Sequence, residues 1–253
     1  MTARYHPPEN ELTLDSEFAL HWQMTNCERF AIQDLLRRTK PKVALEIGTY
    51  KGGSLQVISH FAEEVYSIDI DPTVPERLGG RFPQVHYRIG PSGEVLPKVL
   101  AEIAERGVDI GFVLIDGDHS TAGVRDDINK LLAYIPKSRC IVIMHDSFNP
   151  DCREGIRTAS WGASPYVHMV DLDFIPGIFH EQAYDTAAQG SMWGGFGIAV
   201  LEPTKRTVEL EVRASQHGLF DAVYQRSSHK PRTQAPPPPS LAKRILRKLG
   251  AGA

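Results

Sequence analysis

The chain has 253 residues, of which 42% are apolar and 23% charged, and these proportions are typical of a soluble globular protein. No stretch approaches the roughly 18 consecutive apolar residues of a membrane span, and the opening residues lack the apolar core of a signal peptide. We therefore expect one main domain and a cytoplasmic location. The cysteines, Cys27, Cys140 and Cys152, are odd in number and widely spaced, which argues against a disulfide framework or a zinc knuckle and indicates packing residues.

The net charge of -3 conceals an asymmetry between the body of the chain and its C-terminal end. From residue 226 onward there are seven Lys or Arg residues and no Asp or Glu, so the preceding residues carry 21 positive and 31 negative side chains. An acidic body opposes a phosphate-lined groove, and we expect no nucleic-acid partner. We interpret residues 226–240 as a proline-rich linker and residues 241–253 as a basic amphipathic helix. This helix docks on its own or a partner subunit or, as a less favoured alternative, on an anionic membrane surface.

In chain order, a polar arm leads into an amphipathic helix predicted for residues 26–38, and the two form an N-terminal region, 1–39. Apolar runs and helical patterns then alternate, which is typical of repeated β-α-β units. The predicted strands are 43–47, 65–70, 85–89, 111–115 and 140–144, and the predicted helices lie around 55–62, 96–103 and 124–135. Right-handed crossovers place helices on both faces of such a sheet. The predicted fold class is α/β, a doubly wound and mostly parallel sheet over residues 40–215.

Beyond residue 150 the pattern changes to shorter apolar segments. Residues 166–172, 196–201 and 208–212 are predicted as the remaining strands, with at least one antiparallel pair near the C-terminal end of the sheet. The long aromatic-bearing segment 173–193 is interpreted as a lid-like insertion, because loops of this length in compact domains are usually functional or mobile.

The first predicted strand runs into the sequence E-I-G-T-Y-K-G-G-S, residues 46–54. Its glycines permit a tight turn and the close approach of a ligand, and the amide dipoles of the following helix point toward this position. The G-x-G-x-x-G spacing of a dinucleotide-binding loop is absent. Glu46, two residues before the first glycine, would repel a pyrophosphate but suits a cation or an amine-bearing ligand.

Two further strand ends carry candidate ligand contacts. Asp69 stands about 20 residues after the glycines, where an acidic side chain accepts hydrogen bonds from ribose hydroxyls in α/β nucleotide-binding folds. Ser92 lies in G-P-S-G after the third predicted strand and could border an adenine ring. The alternatives are structural: capping of nearby amides for Glu46, and ordinary turn formation for Asp69 and Ser92.

Two polar clusters end neighbouring strands. The sequence D-G-D-H at residues 116–119 follows the strand 111–115, and H-D at residues 145–146 follows the strand 140–144. Continuous hydrophobicity is typical of parallel strands covered on both faces, so both clusters should meet at the carboxyl edge of the sheet, where ligands bind. Such a gathering of titratable groups favours an enzyme over a passive scaffold.

These motifs resemble those of class I S-adenosylmethionine-dependent methyltransferases over roughly residues 40–202, through E-I-G-T-Y-K-G-G-S, Y-S-I-D-I-D-P and V-L-I-D-G-D-H. D-G-D-H followed by H-D is most similar to the metal-dependent O-methyltransferases of sugars and antibiotics, the macrocin and mycinamicin type. The resemblance implies a Rossmann-like fold, with S-adenosylmethionine and a divalent metal, most simply Mg²⁺, as cofactors. The predicted contacts to the methyl donor are Glu46, Gly48, Thr49, Gly52, Ser54, Asp69, Ser92 and Asp116.

In the resembling enzymes an Asp of the D-G-x-H motif and an acidic pair at the next strand end hold the metal. Carried over, the metal ligands are Asp116, His145 and Asp146, and the chain departs from the pattern because position 145 is His. The metal is then bound weakly, has an imidazole ligand, or is absent while His145 acts in catalysis. Asp118 and His119 both stand where relatives place a general base, and we favour His119 because imidazole has a pKa of about 6.5. In the alternative, His119 caps the next helix while Asp118 binds the metal.

The acceptor implied by the resemblance is a sugar hydroxyl, for example of a mannoside or another saccharide in a methylated polysaccharide or glycoside. Flat aromatic rings suit the apolar faces of a sugar, and the predicted acceptor contacts are Tyr50 and Trp193. Alternatives are a catechol-type or other phenolic O-methyltransferase, a hydroxylase-like enzyme on the same scaffold, and a non-catalytic S-adenosylmethionine-binding scaffold. Because related enzymes are commonly oligomeric, we expect a homo-oligomer, in the simplest case a dimer.

Overall fold

The computed structural model describes residues 18–181, 188–216 and 218–229, which form a large sheet, a separate hairpin and flanking helices. The helices are α1 Asn26–Thr39, α2 Gly53–Phe61, α3 Val74–Leu78, α4 Ser92–Glu105, α5 Thr121–Leu131, α6 Pro150–Thr158 and α7 Leu219–Tyr224, with a short 3-10 helix at Trp161–Ala163. The strands are β1 Val43–Ile47, β2 Glu64–Asp69, β3 Val85–Ile89, β4 Ile110–Ile115, β5 Cys140–His145, β6 Val167–Ile175, β7 Ile178–Phe179, β8 Met192–Trp193, β9 Phe196–Leu201 and β10 Val212–Arg213.

The large sheet has the strand order β10-β6-β9-β5-β4-β1-β2-β3. Neighbours from β3 to β5 are parallel, and β9 runs antiparallel to both β5 and β6. The prediction of a doubly wound, mostly parallel sheet with an antiparallel pair near its C-terminal end is therefore confirmed. The predicted strand 208–212 is wrong, because the strand is Val212–Arg213, it lies parallel to β6, and Val208 is 72% exposed.

Two apolar layers cover the sheet. One face packs against α1, α2 and α3 through side chains such as Ile32, Leu55 and Leu78. The other face packs against α4, α5 and α6 through side chains such as Leu96 and Ile128. Because β1, β4 and β5 lie in the middle of the sheet between these layers, their sequences are apolar without alternation.

The helix predicted to reach residue 135 is wrong at its C-terminal end. Helix α5 stops at Leu131, and Ile135 is 62% exposed. Pro136 follows Ile135, and the residue before a proline is disfavoured in a helical conformation. The apolar spacing in the sequence therefore extends beyond the last residue of the helix.

Sequence analysis missed three α-helices, α3, α6 and α7. Helix α6 begins with Asn149 as its N-cap, whose side chain accepts from the amides of Asp151 and Cys152, and with Pro150 at the first helical position. Asn before Pro is a recognised helix start. The α6 segment contains few apolar residues, so apolar periodicity alone did not reveal it.

The segment 173–193, predicted as a lid-like insertion, is partly regular. Strand β6 continues to Ile175, and β7 and β8 pair antiparallel to form a hairpin, residues 178–193, of which residues 182–187 lie outside the described part of the chain. C-terminal residues pack against this hairpin: the amide of Ser228 donates to the carbonyl of Gly190 at 2.7 Å, and the amide of Met192 donates to His229 Nε2 at 3.2 Å. Ser228 and His229, near the start of the predicted linker, thus contact the hairpin.

Residues 1–17 and 230–253, which include most of the predicted linker and all of the basic helix, lie outside the described residues. The domain boundaries proposed from the sequence therefore remain predictions. Within the described residues, none of the helices combines the length and the apolar character needed to cross a bilayer. Cys140 and Cys152 are buried, as expected for packing residues, whereas Cys27 is exposed and that part of the expectation is wrong.

Candidate active site

A cleft of about 1160 Å³ opens at the carboxyl ends of β1, β2, β4 and β5, where the sequence placed its polar clusters. Most of the predicted site residues line it: Gly48, Thr49, Tyr50, Ser54, Asp69, Ser92, Asp116, Asp118, His119, His145, Asp146 and Trp193. Glu46 and Gly52, both predicted to contact the methyl donor, are not among the lining residues. The two strand-end clusters do meet, because β4 and β5 are parallel neighbours.

The glycine turn after β1 depends on Gly48. Its φ of +87° is unfavourable for other residues, and a Cβ added there would lie 1.9 Å from the carbonyl oxygen of Asp116. The turn therefore packs directly against the chain that carries the D-G-D-H cluster. Gly52, with a φ of +82°, instead begins α2 as its N-cap residue.

Glu46 lies beneath this turn rather than in the cleft. Its carboxylate is fully buried and accepts hydrogen bonds from Ser54 Oγ at 2.5 Å and from Thr49 Oγ1 at 3.0 Å. Burial raises the pKa of Glu46 to about 8, although both hydroxyl hydrogen bonds act to lower it. In this arrangement Glu46 positions two residues that line the cleft.

Asp69, at the end of β2, holds the same turn from the other side. Its Oδ2 accepts from the amides of Thr49 and Tyr50, each at 2.8 Å, and its Oδ1 accepts from the amide of Asp71 at 2.8 Å. A carboxylate has about four lone-pair sites, so about one remains for a ligand hydroxyl. Asp69 therefore supports the turn, in addition to the contact with a ribose that the sequence predicts.

Ser92 is the first residue of α4 and reaches the cleft beside the end of β3. It hydrogen bonds to Asp127, a residue of α5 that is almost fully buried and that sequence analysis did not single out. Burial raises the pKa of Asp127 to about 6, against the effect of the Ser92 hydrogen bond. The helical spacing of Val124, Ile128 and Leu131 places position 127 on the inward face of α5, but it does not indicate that the carboxyl group meets Ser92.

On the opposite side of the cleft, two carboxylates and two imidazoles form what we call the acid-imidazole cluster, consisting of Asp116, His119, His145 and Asp146. Asp116 Oδ1 lies 2.9 Å from His145 Nδ1 and 3.5 Å from His119 Nε2. Asp146 Oδ2 lies 3.4 Å from His119 Nδ1 and 3.7 Å from His145 Nδ1. His119 therefore bridges the two acids at the surface of the cleft, while His145 lies buried behind them.

The charges of the cluster are strongly interdependent. Burial alone would raise the pKa of Asp116, but the neighbouring imidazoles of His145 and His119 lower it. Burial also opposes charge on His145, yet Asp116 and Asp146 raise its pKa well above the usual value, and the hydrogen bond to Asp116 raises that of His119. For Asp146 the desolvation caused by burial dominates and raises the pKa. For both imidazoles the neighbouring carboxylates thus favour the protonated form.

Glu28 is the residue of this region that sequence analysis missed. It is 1% exposed, and its Oε1 lies 3.2 Å from His145 Nε2. His145 is therefore enclosed by carboxylates at both ring nitrogens. The sequence does carry a sign of Glu28, since Thr25 and Glu28 form a capping box at the start of α1. That motif predicts a helix start and gives no information about contact with β5.

Asp116, His119 and Asp146 can each offer one ligand atom to a cation, and these atoms lie within 4.8 Å of one another. Two carboxylate oxygens suit a hard divalent ion such as Mg²⁺, and a neutral imidazole is compatible with Mn²⁺ or Zn²⁺ as well. The residues present therefore fit a divalent cation. His145 is not part of this group of ligand atoms, and its two ring nitrogens lie 2.9 Å from Asp116 Oδ1 and 3.2 Å from Glu28 Oε1.

Residues 45–147 match the family model described as Methyltransferase domain. This segment runs from β1 to the residues just after β5, and contains the glycine turn, Asp69, Ser92 and the whole acid-imidazole cluster. It covers less than half of the chain. No curated protein sequence matches the chain significantly.

Solved structures are similar to the chain at low sequence identity and with TM-scores below 0.5. The O-methyltransferase from Bacillus cereus in complex with SAH has 15% identity and a TM-score of 0.47, with coverage of 68% of this chain and 79% of that chain. An O-methyltransferase from Streptomyces achromogenes involved in tomaymycin synthesis, in complex with SAM, has 15% identity and a TM-score of 0.48, with coverage of 69% and 78%. Similarity at this level carries no information about the acceptor of the present chain.

The helix that follows the D-G-D-H cluster is capped by Ser120, whose side chain accepts from the amide of Gly123 at 3.0 Å. Asp118 accepts from the amide of Ser120 at 2.8 Å and so also supports the start of α5. His119 has no part in this cap, and its side chain is 44% exposed to the cleft. Both Asp118 and His119 line the cleft, but one oxygen of Asp118 is engaged at the start of α5, whereas the imidazole of His119 takes no part in that helix start.

The two predicted acceptor contacts lie at the mouth of the cleft. Trp193, at the end of β8, is 38% exposed, and its ring centroid is 5.8 Å from that of His119. Tyr50 is half exposed in the glycine turn, and the ammonium of Lys51 lies 5.1 Å from its ring centroid. Trp193 is therefore close to His119, whereas Tyr50 belongs to the glycine turn after β1.

Proposed function

We propose that the protein transfers a methyl group from S-adenosylmethionine to a hydroxyl oxygen of a saccharide, with a divalent cation at Asp116 and Asp146 and with His119 as the general base. The observation that carries the proposal is the position of His119. It lies between Asp116 and Asp146 on one side and Trp193 on the other, and the peptide of Asp116 touches the glycine turn at Gly48.

The donor is expected in the half of the cleft formed by the glycine turn, Asp69 and Ser92. The backbone can be approached closely at Gly48, and the start of α2 directs its amides toward a ligand. Asp69 keeps about one lone pair for a ribose hydroxyl. This half therefore supplies binding and orientation for the sulfonium carbon.

A divalent cation, when bound, lowers the pKa of an alcohol oxygen next to it. Asp116 and Asp146 would hold it, because both are charged acceptors that face the cleft. His119 then accepts the proton of the hydroxyl at one of its ring nitrogens. A general base must be unprotonated, so turnover is expected to rise as the pH is raised through the pKa of His119.

Electrostatics favours an uncharged acceptor. Of the described residues that line the cleft, Glu28, Asp69, Asp71, Asp116, Asp118 and Asp146 are acidic, and Lys51 is the one Lys or Arg. A cleft of this sign attracts a cationic donor and opposes a phosphate or carboxylate on the acceptor. We therefore favour a neutral glycoside over a sugar phosphate or a uronic acid.

The decisive experiment is methyl transfer from radiolabelled S-adenosylmethionine to a panel of neutral glycosides, sugar phosphates and catechols, with and without EDTA. Transfer to a neutral glycoside that EDTA abolishes and Mg²⁺ or Mn²⁺ restores is the expected result. Transfer to catechols alone would favour the phenolic alternative, and full activity in EDTA would remove the cation from the proposal. Donor binding without transfer to any acceptor would support a binding scaffold.

Calorimetric titration with Mn²⁺ distinguishes a base from a ligand at position 119. Asp116→Asn and Asp146→Asn should abolish the heat of binding, since each removes a charged oxygen ligand. His119→Ala should retain Mn²⁺ binding if His119 acts only as the base. Loss of Mn²⁺ affinity in His119→Ala would instead assign His119 as a ligand.

The predicted homodimer, the lack of a nucleic-acid partner and the role of the basic C-terminal helix remain proposals. Gel filtration with light scattering measures the oligomeric state. A mobility shift on RNA and DNA at physiological salt tests the second proposal, where tight binding would contradict it.

A further inference from the structure

Two chain segments outside residues 45–147 contribute to the walls of the cleft. One is the N-terminal strap, which we define as residues 18–25, and the other is the hairpin, residues 178–193. Strap residues 21–25 line the cleft, as do Ile178, His180 and Trp193 of the hairpin. The hairpin reaches the acid-imidazole cluster, where the acceptor is proposed to bind, through Trp193, and the strap reaches it through Thr25, which is bonded to Glu28.

The strap is fixed at its N-terminal end by α2. Gln56 exchanges two hydrogen bonds with the backbone of Leu20, at 2.9 and 3.0 Å. A Cβ at Gly53 would lie 2.4 Å from the carbonyl oxygen of His21, so the strap lies directly on the first turn of α2. Glu28 fixes the C-terminal end of the strap, on the side of the proposed acceptor site.

Glu28 contacts both walls and the cluster at once. Its Oε2 accepts from the amide of Thr25, the last strap residue, at 2.5 Å. Its Oε1 accepts from the amide of Gly195 and lies 3.2 Å from His145 Nε2. Because Glu28 is almost fully buried, each of these contacts is shielded from water.

The amides that follow the hairpin are divided between two carboxylates. The amide of Gly194 donates to Asp146 Oδ1 at 2.6 Å, and the amide of Gly195 donates to Glu28. Both glycines have positive φ, and a Cβ at Gly194 would lie 2.9 Å from Glu28 Oε1. The position of Trp193, one residue earlier, is thereby tied to the cluster.

We propose that Glu28 is a positioning residue that locks the strap and the hairpin, the two walls of the acceptor side, onto the acid-imidazole cluster through His145. The capping box at α1 accounts for the Thr25 contact alone. It does not require contacts to Gly195 and His145, which come from distant parts of the chain. A buried carboxylate with fewer partners would be costly, so all three contacts are expected to form together.

The variant that tests the proposal is Glu28→Gln, which keeps the size of the side chain. A glutamine has one acceptor oxygen and an NH₂ group that only donates, so it can accept from Thr25 or from Gly195 but not from both. Asp34→Asn is the matched control, because Asp34 lies on the same helix and pairs with Arg37 and Arg38 away from the cleft.

Hydrogen exchange followed by mass spectrometry, measured well below the melting temperature, is the first readout. In Glu28→Gln, peptides covering the strap and residues 188–195 should exchange together at least about 10-fold faster, while β1 and β4 keep wild-type rates. Asp34→Asn should match the wild type in both regions. Faster exchange in α1 alone, or equally throughout the sheet, would show a purely helical or global effect and overturn the proposal.

Binding and kinetics give the second readout, and the acceptor part of it rests on the proposed function. Calorimetry with S-adenosylhomocysteine should give a Kd within about 3-fold of the wild type in Glu28→Gln, whereas the KM of an acceptor found in the glycoside panel should rise about 10-fold with kcat less affected. A weakened Kd with an unchanged acceptor KM would contradict the assignment. If the panel yields no acceptor, the proposed function fails while the exchange result still decides the role of Glu28.

Glu28→Asp provides a conservative variant that keeps the charge and shortens the side chain by one methylene. It should show the same paired loss of protection with a smaller amplitude, and should partly restore the acceptor KM. If Glu28→Gln does not fold, Glu28→Asp carries the same comparison, and protection equal to the wild type in both walls would overturn the proposal.

Discussion

The half of the cleft in which the donor is proposed to bind, the donor half, lies at the ends of β1, β2 and β3 and contains residues 46–54, 69 and 92. The half in which the reaction is proposed to occur, the reaction half, lies at the ends of β4 and β5 and contains Asp116, His119 and His145 together with Glu28 and the glycines after the hairpin. The donor half is shaped mainly by backbone turns and amide hydrogen bonds. The reaction half is shaped by mutually dependent charges.

This difference indicates which changes each half tolerates. In the donor half, where backbone geometry determines the shape of the cleft, a single added methyl group is disruptive even without a change in charge. In the reaction half, where paired charges determine the structure, removing one charged group leaves its partners buried without a group of opposite charge. The two halves should therefore respond separately to mutation, except at Gly48, where they touch.

The largest effect is expected for Gly48→Ala, because the two halves touch at Gly48 and a substitution there should affect both. The added Cβ would overlap the carbonyl of Asp116 and strain a residue with positive φ, so both S-adenosylhomocysteine binding and turnover should fall at least about 100-fold. Calorimetry and methyl transfer measure the two losses. Gly162→Ala is the control, because an added Cβ there meets no atom within 4 Å. Wild-type donor binding in Gly48→Ala would contradict the role of this contact.

His119→Ala should affect the reaction half alone. Turnover should fall about 100-fold or more, since general-base catalysis contributes about 10²- to 10⁴-fold, while S-adenosylhomocysteine affinity stays within about 3-fold. Single-turnover methyl transfer and calorimetry provide the measurements. His168→Ala, on the exposed face of β6, serves as the control histidine. Unchanged turnover in His119→Ala would exclude it as the base.

Glu46→Gln should change the pH dependence of stability. Burial raises the pKa of Glu46 to about 8, so between the unfolded value of 4.5 and about 8 the folded protein holds a proton that the unfolded chain has lost. The stabilising contribution is thus complete below the unfolded pKa and is lost as pH rises through about 8, with a slope of up to about 1.4 kcal/mol per pH unit. Glu46→Gln removes this slope from the free energy of unfolding.

Urea unfolding of the wild type and of Glu46→Gln at about pH 5, 6.5 and 8 measures the effect. The exposed Glu76→Gln is the matched control and should keep the wild-type pH dependence. Parallel pH profiles for Glu46→Gln and the wild type would show that the Glu46 carboxylate titrates at the same pH in the folded and unfolded chain.

The smallest effect is expected for Ser92→Ala, which sharpens the comparison from the donor side. Loss of one hydroxyl that lines the cleft should weaken S-adenosylhomocysteine binding by about 3- to 10-fold, without a change in the acceptor KM. Ser138→Ala, at the opposite edge of the sheet beside Asp109, is the control. A changed acceptor KM with unchanged donor affinity would move Ser92 to the reaction half.

Local pattern was sufficient for the sheet and for the place of the site. Strands β1, β3 and β9 match their predicted bounds. The inner strands β1 and β9 are mostly apolar runs, the edge strand β3 alternates apolar and polar residues, and both patterns end at polar turns. The meeting of residues 116–119 with 145–146 also follows from sequence, since neighbouring parallel strands end at the same edge. The end of α5 and the short strand β10 were misjudged, because apolar residues there lie on the surface.

The sequence by itself determined that acids, imidazoles and a glycine turn gather at one edge of a parallel sheet, since strand periodicity and turn chemistry are local properties. Tertiary structure alone decided that Glu46 lies beneath the cleft, that His145 is enclosed by Asp116 and Glu28, and that Gly195 donates to Glu28. Burial and the pairing of charges depend on how α1 and the hairpin pack on the sheet. That packing joins residues far apart in the chain, and no local pattern records it.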